Sequence, residues 1–374
     1  MMETVKNSGG AVPKTQGSSR DNNLTMIRIV ATLFVFAGHM GVLLGGEPPF
    51  LGGFGLHEIG VDLLFLMSGY LITKSWLSDP DPLRFAVRRF FRLWPPFAVM
   101  VLIMVFVTGP LVSELGVRGY FESWYTVYLR NLRFFIVYAQ PGVFEHLPVA
   151  YATNGSLRTM PIEAALYVVT PILLTALRVK GRSKTSFYLT AVLTGAVCIS
   201  DVLLRAFWPD AQVIFYGVEW VSAYHLIVLY VIGIFFTYKE VQKYLNVQVG
   251  CAVMCLLFIF QLTSVPLRCL LMYITLPYFV FSLAFASKPV FSGLGRRLEP
   301  SYGIYLYGFF FQQLVIYLQL KNGISLGYTK SLLLSLVPTL AAAVLSYYLV
   351  EKPALRLSRF LIRKLKARTS GICH

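Results

Sequence analysis

Apolar runs of about twenty residues recur along this chain between positions 24 and 350, with no soluble-looking block between them. A hydrocarbon core about 30 Å thick takes roughly 20 such residues per helix, so the runs are long enough to cross a bilayer. Candidate spans cover 24–44, 56–77, 95–113, 158–179, 186–204, 213–238, 248–265, 267–286, 302–320 and 330–350. The expected fold is all-α, a polytopic transmembrane helix bundle of about ten spans. The pair 248–265 and 267–286 is divided only by Pro266 and Arg268.

Composition agrees, because 56% of the 374 residues are hydrophobic and only 13% are charged, outside the range of soluble globules. Residues 1–23 are polar and rich in Gly and Ser, which predicts a disordered tail and no secretory signal. A membrane domain is expected over 24–357 and a basic tail over 358–374. With the N-terminus inside, most of the 33 Lys and Arg residues fall on one side: the tail, the connection after the second span, Arg178 to Lys184, Lys239, Lys243, Lys288, Arg296, Arg297 and the run from Lys352 to Arg368. Positive loops stay inside, so both termini are predicted cytoplasmic, in an inner-membrane protein. The net charge of +16 then reflects this bias and attraction to anionic lipids, and argues for no nucleic-acid partner.

The cysteines, Cys198, Cys251, Cys255, Cys269 and Cys373, sit in or beside apolar spans or at the C-terminus, and none reads as half of an exported disulfide. Cys251 and Cys255 share a helix face but have no His or acidic partner, so small buried hydrophobes are expected and no metal site. No Gly-rich phosphate loop points to a dinucleotide cofactor.

Two segments interrupt the apolar pattern. In 78–97, Arg88, Arg89 and Arg92 lie on a short helical pattern closed by Pro95 and Pro96, with Arg88 and Arg92 on one face. They read either as ordinary inside-positive charges or as guanidiniums placed to clamp phosphates. The second, about 114–157, is a long outer segment in which "ESWYTVYLRNLRFF" predicts a surface-lying amphipathic helix.

Ionisable groups inside spans are expensive and mark a site, a path or a buried pair. They are His39, Asp62, Glu163 and His225, with Arg28 and Glu219 nearer the ends. At 1.5 Å per residue, His39 lies roughly 18 Å and Glu163 roughly 22 Å from the inner boundary, so the two are expected to meet. A carboxylate against an imidazole fixes its tautomer, as a general base requires. The plainer alternatives are an interhelical hydrogen bond for His39 and a packing or proton-path role for Glu163. Asp62 is expected to orient helices or touch substrate, and His225 to be structural. Asn154 and Ser156, just before the Glu163 helix, cap it or bind substrate.

These residues lie in a recognisable order. Arg28-x-x-Ala31 with His39, "GVDLLFLMSGYLI" (60–72), "RRFFRLWP" (88–95), "NGSLRTMPIE" (154–163), "SYGIYLYG" (301–308) and "EKP" (351–353) follow one another over most of the chain. In order and spacing the chain resembles the membrane acyltransferase-3 family. The resemblance implies transfer of an acyl group, usually acetyl, from cytoplasmic acyl-CoA to a hydroxyl of an envelope or secreted glycan. It implies His39 and Glu163 as catalytic residues and Arg28, Arg88, Arg89 and Arg92 as the acetyl-CoA-binding set.

Two positions depart from the family pattern. Arg158 stands where Trp is common, which would alter the acceptor entrance or offer a cation to an acidic glycan. Gly308 stands where many members have His, followed by Gln312 and Gln313. No appended hydrolase-like domain is expected after "EKP", so the bundle acts alone or hands its acyl group to a partner. The expected partners are acyl-CoA, a glycan or glycolipid and membrane lipids. The competing readings are a proton-coupled transporter, with His39 and Glu163 as relay, and an acyl-relay subunit for a separate transferase.

Overall fold

The computed structural model describes residues 23–209, 211–259, 264–286 and 299–371. The expected tail at 1–22, the basic residues Lys288, Arg296 and Arg297, and Cys373 lie outside the described residues. The bundle is built from α1 (Leu24–Leu43), α2 (Leu56–Ser78), α3 (Pro82–Ile103), α4 (Met160–Ala176), α5 (Lys184–Phe207) and α6 (Trp220–Phe235). It continues with α7 (Val247–Ile259), α8 (Val265–Ala284), α9 (Ser301–Lys321), α10 (Gly327–Ser346) and α11 (Lys352–Gly371). Every predicted span finds a helix, and among the described residues eight helices are long and apolar enough to cross a membrane.

The expected span at 213–238 is shortened. Ile214–Phe215 and Val218–Glu219 pair as a small antiparallel hairpin, and α6 starts only at Trp220. Glu219 sets that start, accepting the free N–H groups of Val221 and Ser222 at 2.8 Å each. With 16 residues, α6 is about 24 Å long.

The larger correction concerns α3. Its N-terminus follows capping rules: Asp81 accepts the Arg84 N–H at 2.7 Å and Pro82 occupies the first turn. Pro95 and Pro96 do not end it, and the helix runs on to Ile103 and through a π turn at Met104–Thr108. In an apolar solvent a helix interrupted by proline still satisfies more backbone groups than open loop does. The arginines expected on a short connection therefore ride on the same rod that crosses the bundle.

α1, α2 and α9 form the centre, with α6 against α2 and α10 against α9. α2 and α6 cross closely at two glycines, since a Cβ on Gly69 or Gly233 would run into the backbone of Tyr230 or Leu66. α5 and α10 are peripheral and present large apolar side chains outward, such as Val192 and Val337. Cys251 and Cys255 also face outward on α7 instead of being buried.

The segment before α4 is anchored on α3 by one face, with Glu122, Trp124, Arg130 and Arg133 exposed on the other. It holds a short α-helix at Gly116–Phe121 and 3₁₀ helices at Tyr125–Arg133 and Gly155–Thr159; Trp94 Nε1 donates to the Leu132 carbonyl at 3.2 Å, and Phe134 stacks on Phe97. Gln313 ties α9 to the same region through the carbonyls of Val149 and Ala152, while Gln312 donates to the Phe36 carbonyl of α1. Gly308 lies on the Phe36 ring, which a Cβ there would meet at 2.8 Å. A side chain at position 308 would therefore require the Phe36 ring to move.

Candidate functional site

The four arginines of the predicted donor set converge. Arg28 near the start of α1 and Arg88, Arg89 and Arg92 of α3 line one cavity of about 640 Å³ that reaches into the bundle as far as Thr159, Glu163 and Tyr305. Successive turns of α3 give each arginine a different partner. Arg88 binds Asp79 at 2.6 Å and donates to its carbonyl, and Arg84 forks onto the same carboxylate. Hydrogen bonding from Arg84, then Arg88, holds the Asp79 carboxyl well below the usual range. Arg89 donates to Ser75 Oγ and lies over the rings of Phe85 and Tyr167.

Arg92 stands between two acidic side chains that sequence reasoning had not assigned to the site. It lies 3.6 Å from Glu351, the acid of "EKP", and 3.9 Å from Glu299, over the ring of Tyr302. Arg28 completes the cluster at 2.5 Å from Glu299. Burial alone would raise the Glu299 carboxyl, but Arg28 and then Arg92 bring it below its ordinary value.

Glu163 faces this cavity and not His39. The Tyr167 hydroxyl, one turn further along α4, donates to its Oε1, and Arg28, Arg89 and Arg92 act on it electrostatically. Among the described residues no hydrogen bond or ion pair joins it to His39. The expected pairing is thus corrected: similar depth did not bring the two to the same face. The proton-relay reading built on that pair loses its contact as well.

His39 lies eleven residues along α1 from Arg28, about 16 Å. Its ring sits 5.5 Å from that of His57 and edge-on to Phe309 at 5.2 Å. Gly38 permits this approach, because a Cβ there would strike the His57 backbone. The His57 Nδ1 is buried without a hydrogen-bond partner among the described residues. His57, at the start of α2, was overlooked because it falls at a predicted span edge.

A second cavity, about 260 Å³, opens toward this end of the bundle and contains Glu58, Asp62, Arg158, Arg205, Glu219 and His225. Val61 and Thr159 line both cavities and so form their common wall. The Thr159 hydroxyl is buried and lies 2.6 Å from the Tyr305 hydroxyl. Arg158 projects into the second cavity, whereas Asn154 and Ser156 line neither. Asn154 is fully buried, accepts the Ser156 N–H at 3.2 Å and donates to the Leu306 carbonyl at 2.7 Å. Asn154 thus caps the turn that leads into α4, one of the two readings open for it.

Asp62 and His225 belong to a buried chain of polar groups. His225 Nε2 is 3.2 Å from Asp62, its Nδ1 is 2.6 Å from the Tyr273 hydroxyl, and that hydroxyl donates to Asp201 at 2.6 Å. Arg205 reaches the same Asp201 oxygen at 2.8 Å. The expectation that Asp62 orients helices and His225 is structural fits this link between α2, α5, α6 and α8. Asp201 was overlooked, although Arg205 four residues on is the signal that finds it. Asp201, His225 and Cys269 also bring ligand atoms within 4.8 Å of one another. Tyr273 and Arg205 both donate to Asp201 Oδ2, while its Oδ1 is buried without a hydrogen-bond partner among the described residues.

Comparison with known proteins matches residues 21–350 to the family model described as Acyltransferase domain. The chain is 26% identical over 354 residues to the O-acetyl transferase of Shigella phage Sf6, covering 92% of this chain and 97% of that protein. It is also 26% identical over 387 residues to Nodulation protein 10 of Rhizobium leguminosarum bv. viciae, covering 93% and 96% of the two. A partial match, 26% over 189 residues, joins 46% of this chain to 26% of the peptidoglycan O-acetyltransferase of Listeria monocytogenes. No solved structure matches. A helical, multi-pass membrane architecture and a family model spanning most of the chain lead to one assignment: this protein belongs to the acyltransferase-3 family and is an acyltransferase for groups other than aminoacyl groups.

Proposed function

We propose that the protein moves an acetyl group from cytoplasmic acetyl-CoA to a hydroxyl of a cell-envelope or secreted glycan, from a position in the inner membrane with both termini cytoplasmic. The observation that carries this reading is the pair of cavities sharing Val61 and Thr159. One is lined by Arg28, Arg88, Arg89 and Arg92, and the other by Arg158, Asp62 and Glu58, the neighbour of His57 in the chain. Phosphates need the first, because guanidinium groups bind phosphate oxygens in bidentate fashion. A proton path has no use for such a cluster.

In this reading the nucleotide end of the donor rests among the arginines, and the pantetheine arm extends past Glu163 and Tyr167 toward Thr159. The acceptor enters the second cavity, where Arg158 offers a cation to an acidic sugar. His39 takes the proton of the acceptor hydroxyl as its oxygen bonds to the acetyl carbon and the carbon–sulfur bond breaks, and the departing thiolate leaves as CoA after protonation. In the two-step form, a His39 nitrogen first displaces the thiolate and the acceptor oxygen then displaces the imidazole. Glu163 holds Tyr167 and the arginine side of the donor cavity. The names of the relatives from phage Sf6 and Listeria support O-acetylation of a surface glycan.

The test is transfer in proteoliposomes, with labelled acetyl-CoA on one face and envelope glycans on the other. Wild type should label the glycan, and His39→Ala and Glu163→Gln at matched folded amounts should not. Labelled glycan from His39→Ala would remove His39 from the reaction, and no transfer or thioester cleavage by wild type would end the proposal.

A further inference from the structure

The basic C-terminal segment reads in sequence as a tail, yet it folds as α11 and packs along α3. We infer that α11 is a wall of the donor site and that Lys352 and Arg359 bind phosphates of the donor nucleotide; this rests on the acetyl-CoA reading above.

Three observations carry it. First, Lys352, Ser358 and Arg359 line the arginine cavity, with Leu355 and Ile362 as its apolar edge. Second, the start of α11 is fixed. A π turn at Tyr347–Glu351 joins it to α10, and the Glu351 carboxylate within that turn is 2% exposed and faces Arg92 at 3.6 Å. Such bulges are common where a helix is adapted to a functional site. The far part of the helix is fixed too, with Lys366 3.7 Å from the Asp79 that holds Arg84 and Arg88.

Third, the charges are unbalanced. The lining holds six cations, Arg28, Arg88, Arg89, Arg92, Lys352 and Arg359, against Glu163 and Glu299. Arg28, Arg88 and Arg92 have carboxylate partners. Among the described residues Arg89, Lys352 and Arg359 pair with none. Lys352 lies over the Tyr348 ring, and Arg359 donates Nε to the Leu355 carbonyl, which leaves its terminal nitrogens available. Two of these three cations come from α11 and one from α3, so an anion between the helices is gripped from both sides. CoA brings about four negative charges, on a phosphomonoester and a diphosphate at its nucleotide end, whereas its pantetheine end has none.

The experiment measures affinity for CoA, dephospho-CoA and phosphopantetheine by calorimetry on the full chain in nanodiscs. Arg359→Ala and Lys352→Ala should each weaken CoA binding about 10-fold, and Arg359→Lys should restore most of the loss. The loss should shrink for dephospho-CoA and again for phosphopantetheine, in step with the phosphates removed. Variants that bind CoA as wild type does would overturn the inference while leaving the donor reading intact. So would variants that lose all three ligands equally, since that pattern reports damage to the fold. Wild type that binds none of the three sinks the donor reading, and this inference with it.

Discussion

Arg92 offers a way to separate what holds the site together from what binds in it. Glu351 is almost wholly buried, Arg92 is the only cation paired with it among the described residues, and neither carboxylate oxygen has a hydrogen bond. Replacing Arg92 with Leu leaves that charge alone in an apolar turn, a change that typically costs about 3–5 kcal/mol. The separation of 3.6 Å, without a hydrogen bond, places the expected cost at the low end, about 3 kcal/mol. Adding Glu351→Leu removes the stranded charge, so the double variant should recover most of that loss. Donor affinity should not recover, because the guanidinium facing the cavity is still missing. Stability would be followed by denaturant unfolding in mixed micelles and affinity by calorimetry on the same samples. A double variant no more stable than Arg92→Leu would show that Arg92 does not hold Glu351, and recovery of both properties would show that Arg92 serves the fold alone.

Other outcomes follow from geometry described above. His39→Ala should lower acetyl transfer at least about 100-fold while leaving CoA affinity nearly unchanged, since the two sites are about 16 Å apart; a matching fall in affinity contradicts the division of roles. Gly69→Leu should cost about 3 kcal/mol or prevent folding, as the side chain would enter the Tyr230 backbone; an unchanged melting profile would refute the close crossing of α2 and α6. Asp79→Asn should destabilise the protein at neutral pH, because the wild-type carboxyl titrates below its unfolded value. That contribution is complete above the unfolded value, about pH 4, and disappears as pH falls further. A gap between wild type and variant that closes between pH 7 and 5 would contradict the Arg84 and Arg88 contacts.

The positions of the helices were legible because a bilayer demands long apolar runs, and Arg88, Arg89 and Arg92 were legible because charge beside such runs stands out. What local pattern could not supply was the direction in which side chains turn. Glu163 and His39 had compatible depths, yet packing of α4 turned Glu163 toward Tyr167 and the arginines. Pro95 and Pro96 carried the signal of a helix end, and that signal failed because the surroundings make helix the cheapest state for the backbone. Glu299 had no periodic partner to reveal it, since its contacts to Arg28 and Arg92 are distant in sequence. His57 and Asp201 lay at span edges, where a polar residue attracts no notice.

The common wall at Val61 and Thr159 bears on how the membrane stays sealed. Val61 and Thr159, the latter braced by the Tyr305 hydroxyl, line both chambers, so under the proposed reaction neither chamber needs to open to both faces of the bilayer. Under the proposed reaction only an acetyl-sized fragment has to cross that partition. Nucleotide and sugar would then each stay on their own side, with the partition acting as a sieve and no alternating gate required.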